Sequence, residues 1–307
     1  MDSISIVIFV NRRDYFFTKL CVASIRYYYP NVEIFLVKDS LNGNFNTKLI
    51  ERKFNVKPIT LSKKYFGWGA SKLHFLLENN TLDKKILFLD SDIIFLGNVL
   101  EKLCENNSKI IVNPEYYTYP MDPTVMQYYV DPEKIKLTYP QYDFPGYFFN
   151  VGQFVINPTI FHDKYLKSCF DKNKFPYFID YKNFNTAEQS ILNVIFPIIC
   201  KEKNITLGIA DFMKWSVSFF NDEKNDDINL LLDGKCDYLL HYAGDIRNNQ
   251  LLKMKGYHLL TFFRNEYNKK LNYFQQKYSN SQDLIHSNKL LNKLLYKLNR
   301  LKMLAIK

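Results

Sequence analysis

The chain is short of several things, and each shortage removes a class of protein. Five cysteines, an odd number with no C-x-x-C pair among them, encode neither a disulfide framework nor a thiolate metal site and fit a reducing cytoplasm. With only ten glycines and eleven prolines in 307 residues, collagen-like and low-complexity chains are excluded. No apolar run reaches the length of a membrane span. The first one, Ile4 to Val10, has no Lys or Arg before it, so it is neither a span nor a signal peptide. Tryptophan is scarce, and the 26 Phe and 23 Tyr come with abundant Lys, Asn and Ile, a bias typical of AT-rich coding and of no functional weight. At 47% apolar and 23% charged the chain is an ordinary globular protein, long enough for one large α/β domain or two small ones. The expected location is the cytoplasm, at most at a membrane surface.

Acidic residues are missing from one end. Residues 250–307 hold 12 Lys/Arg against Glu266 and Asp283, so the whole formal charge of +10 sits there and residues 1–249 carry 29 of each sign. A neutral body with a basic tail does not describe a generally cationic protein seeking polyanions.

Along the body, Ile4 to Val10 and Val32 to Val37 are continuous β-branched or apolar runs, the pattern of strands buried on both faces of a parallel sheet. Between them Tyr15 to Tyr29 lacks Gly and Pro and stops at Pro30, as a helix end should. A helix over 46–54, a short strand over 56–61 and a helix over 71–78 continue the alternation of a doubly wound sheet. Strands are predicted over 153–157 and 237–241 and helices over 158–170 and 186–196. Residues 113–146, rich in Tyr and Pro, are expected to be mostly irregular.

The sharpest feature is Asp90-Ser91-Asp92. With twenty aspartates in the chain, about one Asp-x-Asp arises by chance, so the tripeptide has meaning only through its setting. Ile86 to Leu89 precede it and Ile93 to Leu96 follow it, which places two carboxylates at the end of a central strand, where burial is costly without a cation or several donors. Alternate residues of a strand point to opposite faces, so the pair meets one metal only if the strand breaks at Ser91. Hard oxygen ligands suit Mg²⁺ or Mn²⁺ with phosphate oxygens completing the shell. The other reading is a pair that caps the next helix.

Four blocks in order carry a resemblance. Lys84 to Leu100 around the aspartates, Phe149-Asn-Val-Gly-Gln-Phe-Val-Ile-Asn157, Thr186-Ala-Glu-Gln-Ser-Ile-Leu-Asn193 and His241-Tyr-Ala-Gly-Asp-Ile-Arg247 together resemble the motifs of GT-A glycosyltransferases, most closely the retaining family 8 enzymes of glycogenin and lipopolysaccharide galactosyltransferase type. The resemblance covers roughly residues 4–250 and implies a Rossmann-like nucleotide-diphospho-sugar transferase fold, α/β with a mostly parallel central sheet flanked by helices. It implies a catalytic domain over 1–249 and leaves 250–307 as a basic helical extension.

It also implies roles. Asp90, Asp92 and His241 would hold Mn²⁺ (or Mg²⁺) on the diphosphate of a nucleotide sugar, UDP-linked in this family. Asn11, Tyr15 and Phe16 would meet the nucleobase, Lys72, Ser91 and Gly244 the donor, and Arg247 the leaving diphosphate, where the family has lysine. Asn150, Glu188 and Gln189 would line the transferred sugar, and attack on the face that the leaving group vacates would retain configuration. Val151 replaces the family's Ser, Glu188 its Asp and Asn248-Asn249 a Pro-Trp pair. The acceptor would be a cell-surface glycan such as lipopolysaccharide or capsule.

The same residues have plainer readings. A lone His at a strand end is usually structural, Glu188-Gln189 suits a first helical turn, and Trp68 between two glycines is a sugar platform or a loop anchor. Two rivals to the transferase are a nucleotidyltransferase, which should carry a Gly-rich phosphate loop where Asn11-Arg-Arg-Asp14 has no glycine, and a non-catalytic carbohydrate-binding protein. In the tail, leucines 291, 294, 295, 298 and 301 share a helical stripe. Residues 284–307 therefore read either as an amphipathic helix on an anionic membrane or as one docking its leucines on the catalytic body. Nucleic acid is not an expected partner, because basic and aromatic residues do not interleave there.

Overall fold

The computed structural model describes residues 4–62, 69–115, 122, 126–175, 177–222, 227–243 and 253–305. Strand β1 (Ser5–Asn11) leads through a 3-10 turn into helix α1 (Tyr15–Tyr28), then β2 (Ile34–Asp39), α2 (Lys48–Phe54), β3 (Lys57–Ile59), α3 (Ser71–Glu78) and β4 (Ile86–Asp90). These strands lie parallel in the order β3-β2-β1-β4. β1, β2 and β4 are short β-branched or apolar runs, largely buried, while β3 is an exposed edge strand, and the helices between them form the crossovers that parallel pairing requires. Helix α1 ends where Tyr29 leaves helical φ/ψ ahead of Pro30.

Beyond β4 the chain changes sheets. β5 (Ile93–Gly97) follows after a two-residue break, and α4 (Val99–Glu105) returns to β6 (Ile110–Glu115). After α5 (Pro132–Thr138), β7 (Phe148–Ile156) enters antiparallel between β4 and β6, α6 (Ala187–Lys203) covers it, and β8 (Leu207–Ile209) completes the seven-stranded sheet β3-β2-β1-β4-β7-β6-β8. The rings of Phe9, Phe88 and Phe154 stack across β1, β4 and β7 at centroid distances of 5.3 and 4.6 Å, which locks those strands together. A second sheet, β5-β10-β9, is built from β9 (Met213–Trp215) and β10 (Asp237–His241), with the short helices α7 (Ser216–Phe219) and α8 (Ile228–Leu232) between them.

The mostly parallel α/β architecture agrees with the expectation, with one local correction. The helix expected over 158–170 is a pair of 3-10 turns, Pro158–Ile160 and Asp163–Tyr165. Asn157 Oδ1 accepts from both the backbone and the hydroxyl of Thr159, and this local turn competes with helix propagation. Among the described residues of 113–146 the named elements are the end of β6 and helix α5, so that excursion is mostly irregular, as its composition suggests.

Helices α9 (Tyr257–Lys269) and α10 (Tyr273–Ser287) fold back over α1, and α11 (Lys289–Ala305) is seated on Ser40 and Leu41 just past β2. Lys19 of α1, nearly fully buried, donates to Ser279 at 3.0 Å and pairs with Asp283 at 2.7 Å, and Tyr267 stacks on Phe54 at 4.9 Å. Losing one partner of such a buried ion pair costs about 3–5 kcal/mol, because it strands the other charge. His286 packs its ring 4.9 Å from that of Tyr15 and 5.9 Å from that of Phe45. Burial, with Arg12 and Lys19 nearby, pulls its pKa down to about 4. The folded chain therefore holds His286 neutral while the unfolded chain protonates it near the usual value of about 6.5, so this contribution to stability is full above that value and is lost as pH falls towards 4. Scanning calorimetry should show a fall in Tm between pH 7 and pH 4.5 that is distinctly smaller in His286→Phe, and an identical fall in both proteins would exclude His286 as its source.

Candidate active site

The site forms where the chain passes between sheets. Asp90 ends β4, Ser91 and Asp92 form the turn, and Ile93 opens β5 in the other sheet. The break at Ser91 removes the alternation that would have sent the two carboxylates to opposite faces. His241, the last residue of β10, pairs with Ile93, and the Tyr242 amide donates to the Asp92 carbonyl at 2.9 Å. Two backbone segments far apart in sequence are thereby fixed against each other. His241 Nε2 lies 3.4 Å from Asp92 Oδ1, and one ligand atom from each of Asp90, Asp92 and His241 falls within 4.8 Å of the others.

Lys72, on α3, is the counter-ion of this group. Its ammonium, 1% exposed, donates to Asp90 Oδ1 and to the Val151 carbonyl, both at 2.7 Å, and lies 3.2 Å from Glu188 Oε1. Burial works against the charge, but Asp90 and Glu188 outweigh it and hold the Lys72 pKa above its ordinary value. Burial likewise pushes the Glu188 carboxyl up, against the pull of Lys72. Three carboxylates and one ammonium leave a formal charge of −2, which a divalent cation would balance.

The residues present fit such an ion in two further ways. His241 Nδ1 is buried without a hydrogen-bond partner. Gly152 of β7 lies one residue beyond the Leu89–Gln153 register pair, and a Cβ there would sit 2.5 Å from His241 Cε1 and 3.0 Å from Asp90 Oδ2. A side chain would fill the space that the three ligands surround. Trp215 of β9 stacks on the His241 ring at 4.8 Å and 17°, fixing its plane, and donates its indole N–H to Glu115 at 2.9 Å.

Sequence reasoning assigned no role to Gly152 or Trp215. A glycine inside a buried run marks a close approach, so Gly152 was open to detection. Nothing in the sequence around Trp215 distinguishes it.

The other predicted residues are distributed unevenly. Asn150 Oδ1 accepts the Gly152 amide at 2.7 Å, beside the cradle. Gln189 spends its amide on β7, accepting from Val151 N at 2.9 Å and donating to the Phe149 carbonyl at 3.1 Å. Asn193, one turn along α6, clasps both backbone groups of Phe149 at 2.9 Å. Gln189 and Asn193 thus both hold the strand. Ser91 is buried in the turn. Asn11, at the C-terminal edge of β1, donates to Asp14 at 2.5 Å and caps the following turn through Arg13 N.

Tyr15 is fully buried under His286 and Phe45, where the C-terminal helices cover it. Phe16, next to it, stays half-buried. Gly244, Arg247 and Trp68 lie outside the described residues.

Trp215 also lines an open cleft of about 440 Å³ with Asn113, Glu115, Lys214, Phe219 and Asp222.

No protein-family model matches the sequence, and no curated protein does. Solved structures match in fold. The galactosyltransferase LgtC, in complex with donor and acceptor sugar analogs, superposes with a TM-score of 0.54 at 13% identity over 87% of this chain and 100% of that one. The bifunctional glycosyltransferase WbbM, in its apo structure, gives 0.53 at 14% identity over 92% of this chain. The glycosyltransferase GlyE of Streptococcus pneumoniae TIGR4 gives 0.50 at 13% identity over 90% of this chain. The chain spans about half of WbbM, 52%, and 65% of GlyE. These likenesses show that the chain has the GT-A glycosyltransferase fold.

Proposed function

We propose that the chain is a cytoplasmic, metal-dependent glycosyltransferase that moves a sugar from a nucleotide-diphosphate donor, UDP-linked, to a cell-surface glycan with retention of configuration. The observation that carries this reading is the convergence of Asp90, Asp92 and His241 to within 4.8 Å at a strand end, on the edge of an open α/β sheet where ligands bind.

Asp90, Asp92 and His241 would hold Mn²⁺ or Mg²⁺, which when bound supplies Lewis-acid compensation for charge developing on the leaving diphosphate. The chain's own residues do the rest. Lys72 neutralises Asp90 Oδ1 and leaves Oδ2 facing Gly152, which fixes the carboxylate's orientation without a water-exposed counter-ion. Gln189 and Asn193 clamp β7 so that Asn150 and Gly152 keep their places beside the ligands. Asn11 and Phe16 are the candidates for the nucleobase, and Arg247 for a second cation on the diphosphate.

Glu188 stands 3.2 Å from a buried ammonium, an environment that suits orienting the sugar rather than attacking it. This supports attack by the acceptor on the vacated face. The cleft beside Trp215 combines aromatic faces with carboxylates and an amide, the groups that pack on sugar rings and accept from hydroxyls, and we assign it to the acceptor.

Calorimetric titration tests the reading. UDP should bind with Mn²⁺ present and fail to bind after chelation, and a nucleotide-sugar screen with Mn²⁺ should show hydrolysis of one donor. Equal UDP binding with and without Mn²⁺ would overturn the metal's role. Binding without turnover of any donor would leave a non-catalytic carbohydrate-binding protein.

A further inference from the structure

Helix α11 packs Met303, Tyr296 and Leu295 on the body but turns four other leucines away from it. Its buried residues are Asn292, Asn299 and Met303. Asn299 Nδ2 donates to the carbonyls of Ser40 and Leu41 at 3.2 and 3.1 Å, and Asn292 Nδ2 to the His286 carbonyl at 2.6 Å. Leu290, Leu294, Leu298 and Leu301 are instead 81, 55, 46 and 64% exposed. At 100° per residue the four leucines fall within about 80° of arc, and the buried trio lies on the opposite side within about 40°. Isolated exposed leucines are ordinary, but a continuous ridge of them marks a contact surface. Leu284 and Ile285, 75 and 44% exposed at the end of α10, extend the apolar surface to the turn that leads into α11.

Charge selects the occupant. Lys293, Lys297 and Arg300 border one side of the ridge and Lys302 the other, and no acidic side chain occurs after Asp283, itself paired with Lys19. A second copy of the chain on this ridge would set lysines against lysines, which like-charge repulsion disfavours. A nucleic acid would engage the cations and leave the leucines in water. An anionic bilayer satisfies both, with leucines in the acyl boundary and ammonium groups among the headgroup phosphates. Among the described residues no helix is long and apolar enough to cross a membrane, so the contact is with the surface.

We infer that α11 lies flat on an anionic membrane surface through the Leu290–Leu301 ridge, anchored to the protein body by Asn299 and Met303. The helix is about 25 Å long at 1.5 Å per residue. It is seated against Ser40 and Leu41, just past the C-terminal end of β2, the same edge of the sheet that carries Asp90. Attachment therefore keeps that edge near the lipid. The inference stands on the exposed ridge and its charges alone and survives if the transferase reading fails.

The test is co-sedimentation of the full chain with vesicles of phosphatidylcholine alone or mixed with phosphatidylglycerol. Binding is expected to the mixed vesicles, to weaken with added salt, and to fall by about a hundredfold in Leu290→Gln/Leu294→Gln/Leu298→Gln/Leu301→Gln. Because those leucines are exposed, Tm should not change. Lys293→Glu/Lys297→Glu/Arg300→Glu should abolish the preference for phosphatidylglycerol. Failure of the wild-type chain to sediment with mixed vesicles, or undiminished binding of the leucine variant, would overturn the inference. So would a dimer on gel filtration that the leucine substitutions dissociate without any vesicle binding, which would assign the ridge to a second copy.

Discussion

Asp92→Asn is expected to lower donor turnover by at least about a thousandfold and to eliminate Mn²⁺-dependent UDP binding, while the protein stays folded. The substitution is isosteric, but it removes one of two carboxylates from the cluster and reduces the formal charge facing a divalent ion from −2 to −1. Asp92 is 2% exposed and lies 3.4 Å from His241 Nε2, so no water-filled rearrangement can replace it. A thousandfold loss corresponds to about 4 kcal/mol of transition-state stabilisation, within the range that compensation of a developing charge supplies in a dry site. The fold should tolerate the change, because a buried carboxylate close to others becomes a neutral amide of the same shape. The measurement is turnover and Mn²⁺/UDP calorimetry beside a thermal melt. A wild-type rate in a correctly folded Asp92→Asn protein would sink the proposed function.

Gly152→Ala should be nearly as damaging, through geometry alone. Its Cβ would stand 2.5 Å from His241 Cε1, 2.6 Å from Asn150 Oδ1 and 3.0 Å from Asp90 Oδ2. None of the three can easily give way. His241 is held by β10 and by Trp215 stacked on its ring, Asn150 is on the same strand, and Asp90 is fastened by Lys72. The ligands must therefore spread, and disturbing the groups that orient metal ligands typically costs about 10–100-fold in metal affinity. Misplacement of the reacting groups by about 1 Å costs a similar factor in rate. Mn²⁺ titration of the folded variant is the decisive measurement. Affinity equal to wild type would mean that the ion does not sit in the cradle that Gly152 leaves open.

Much of this site is legible in the sequence because its ligands fall in runs with strong patterns. Asp90 and Asp92 interrupt an apolar stretch that has no other reason to carry charge, and His241 closes a short strand that both the pattern and the structure place at 237–241. Lys72 is recovered through resemblance, yet its partners are not. That it bonds Asp90, Glu188 and the Val151 carbonyl at once depends on α3, β4, β7 and α6 meeting at one point. Gln189 shows the reverse case. Its place in a motif suggested a sugar contact, whereas β7, entering antiparallel beside β4, presents backbone groups that need its amide. Tyr15 lies buried under a helix that comes about 270 residues later in the chain, and no local pattern carries that information.

By itself the sequence determined the alternation of buried strands and helices, the pair of aspartates at a strand end, and a neutral body joined to a basic tail. These are properties of periodicity and composition, which act within one segment. The tertiary structure decided how the segments use one another: the break at Ser91 that turns two carboxylates to one side, the space left by Gly152, and the direction in which the last helix faces. That helix had a stripe of leucines that by pattern alone could equally dock on the body or face a membrane. Asn299 shares the inward face with Met303 because its amide reaches the Ser40 and Leu41 carbonyls just beyond β2, and a polar side chain is tolerated in a buried position when it is hydrogen-bonded there.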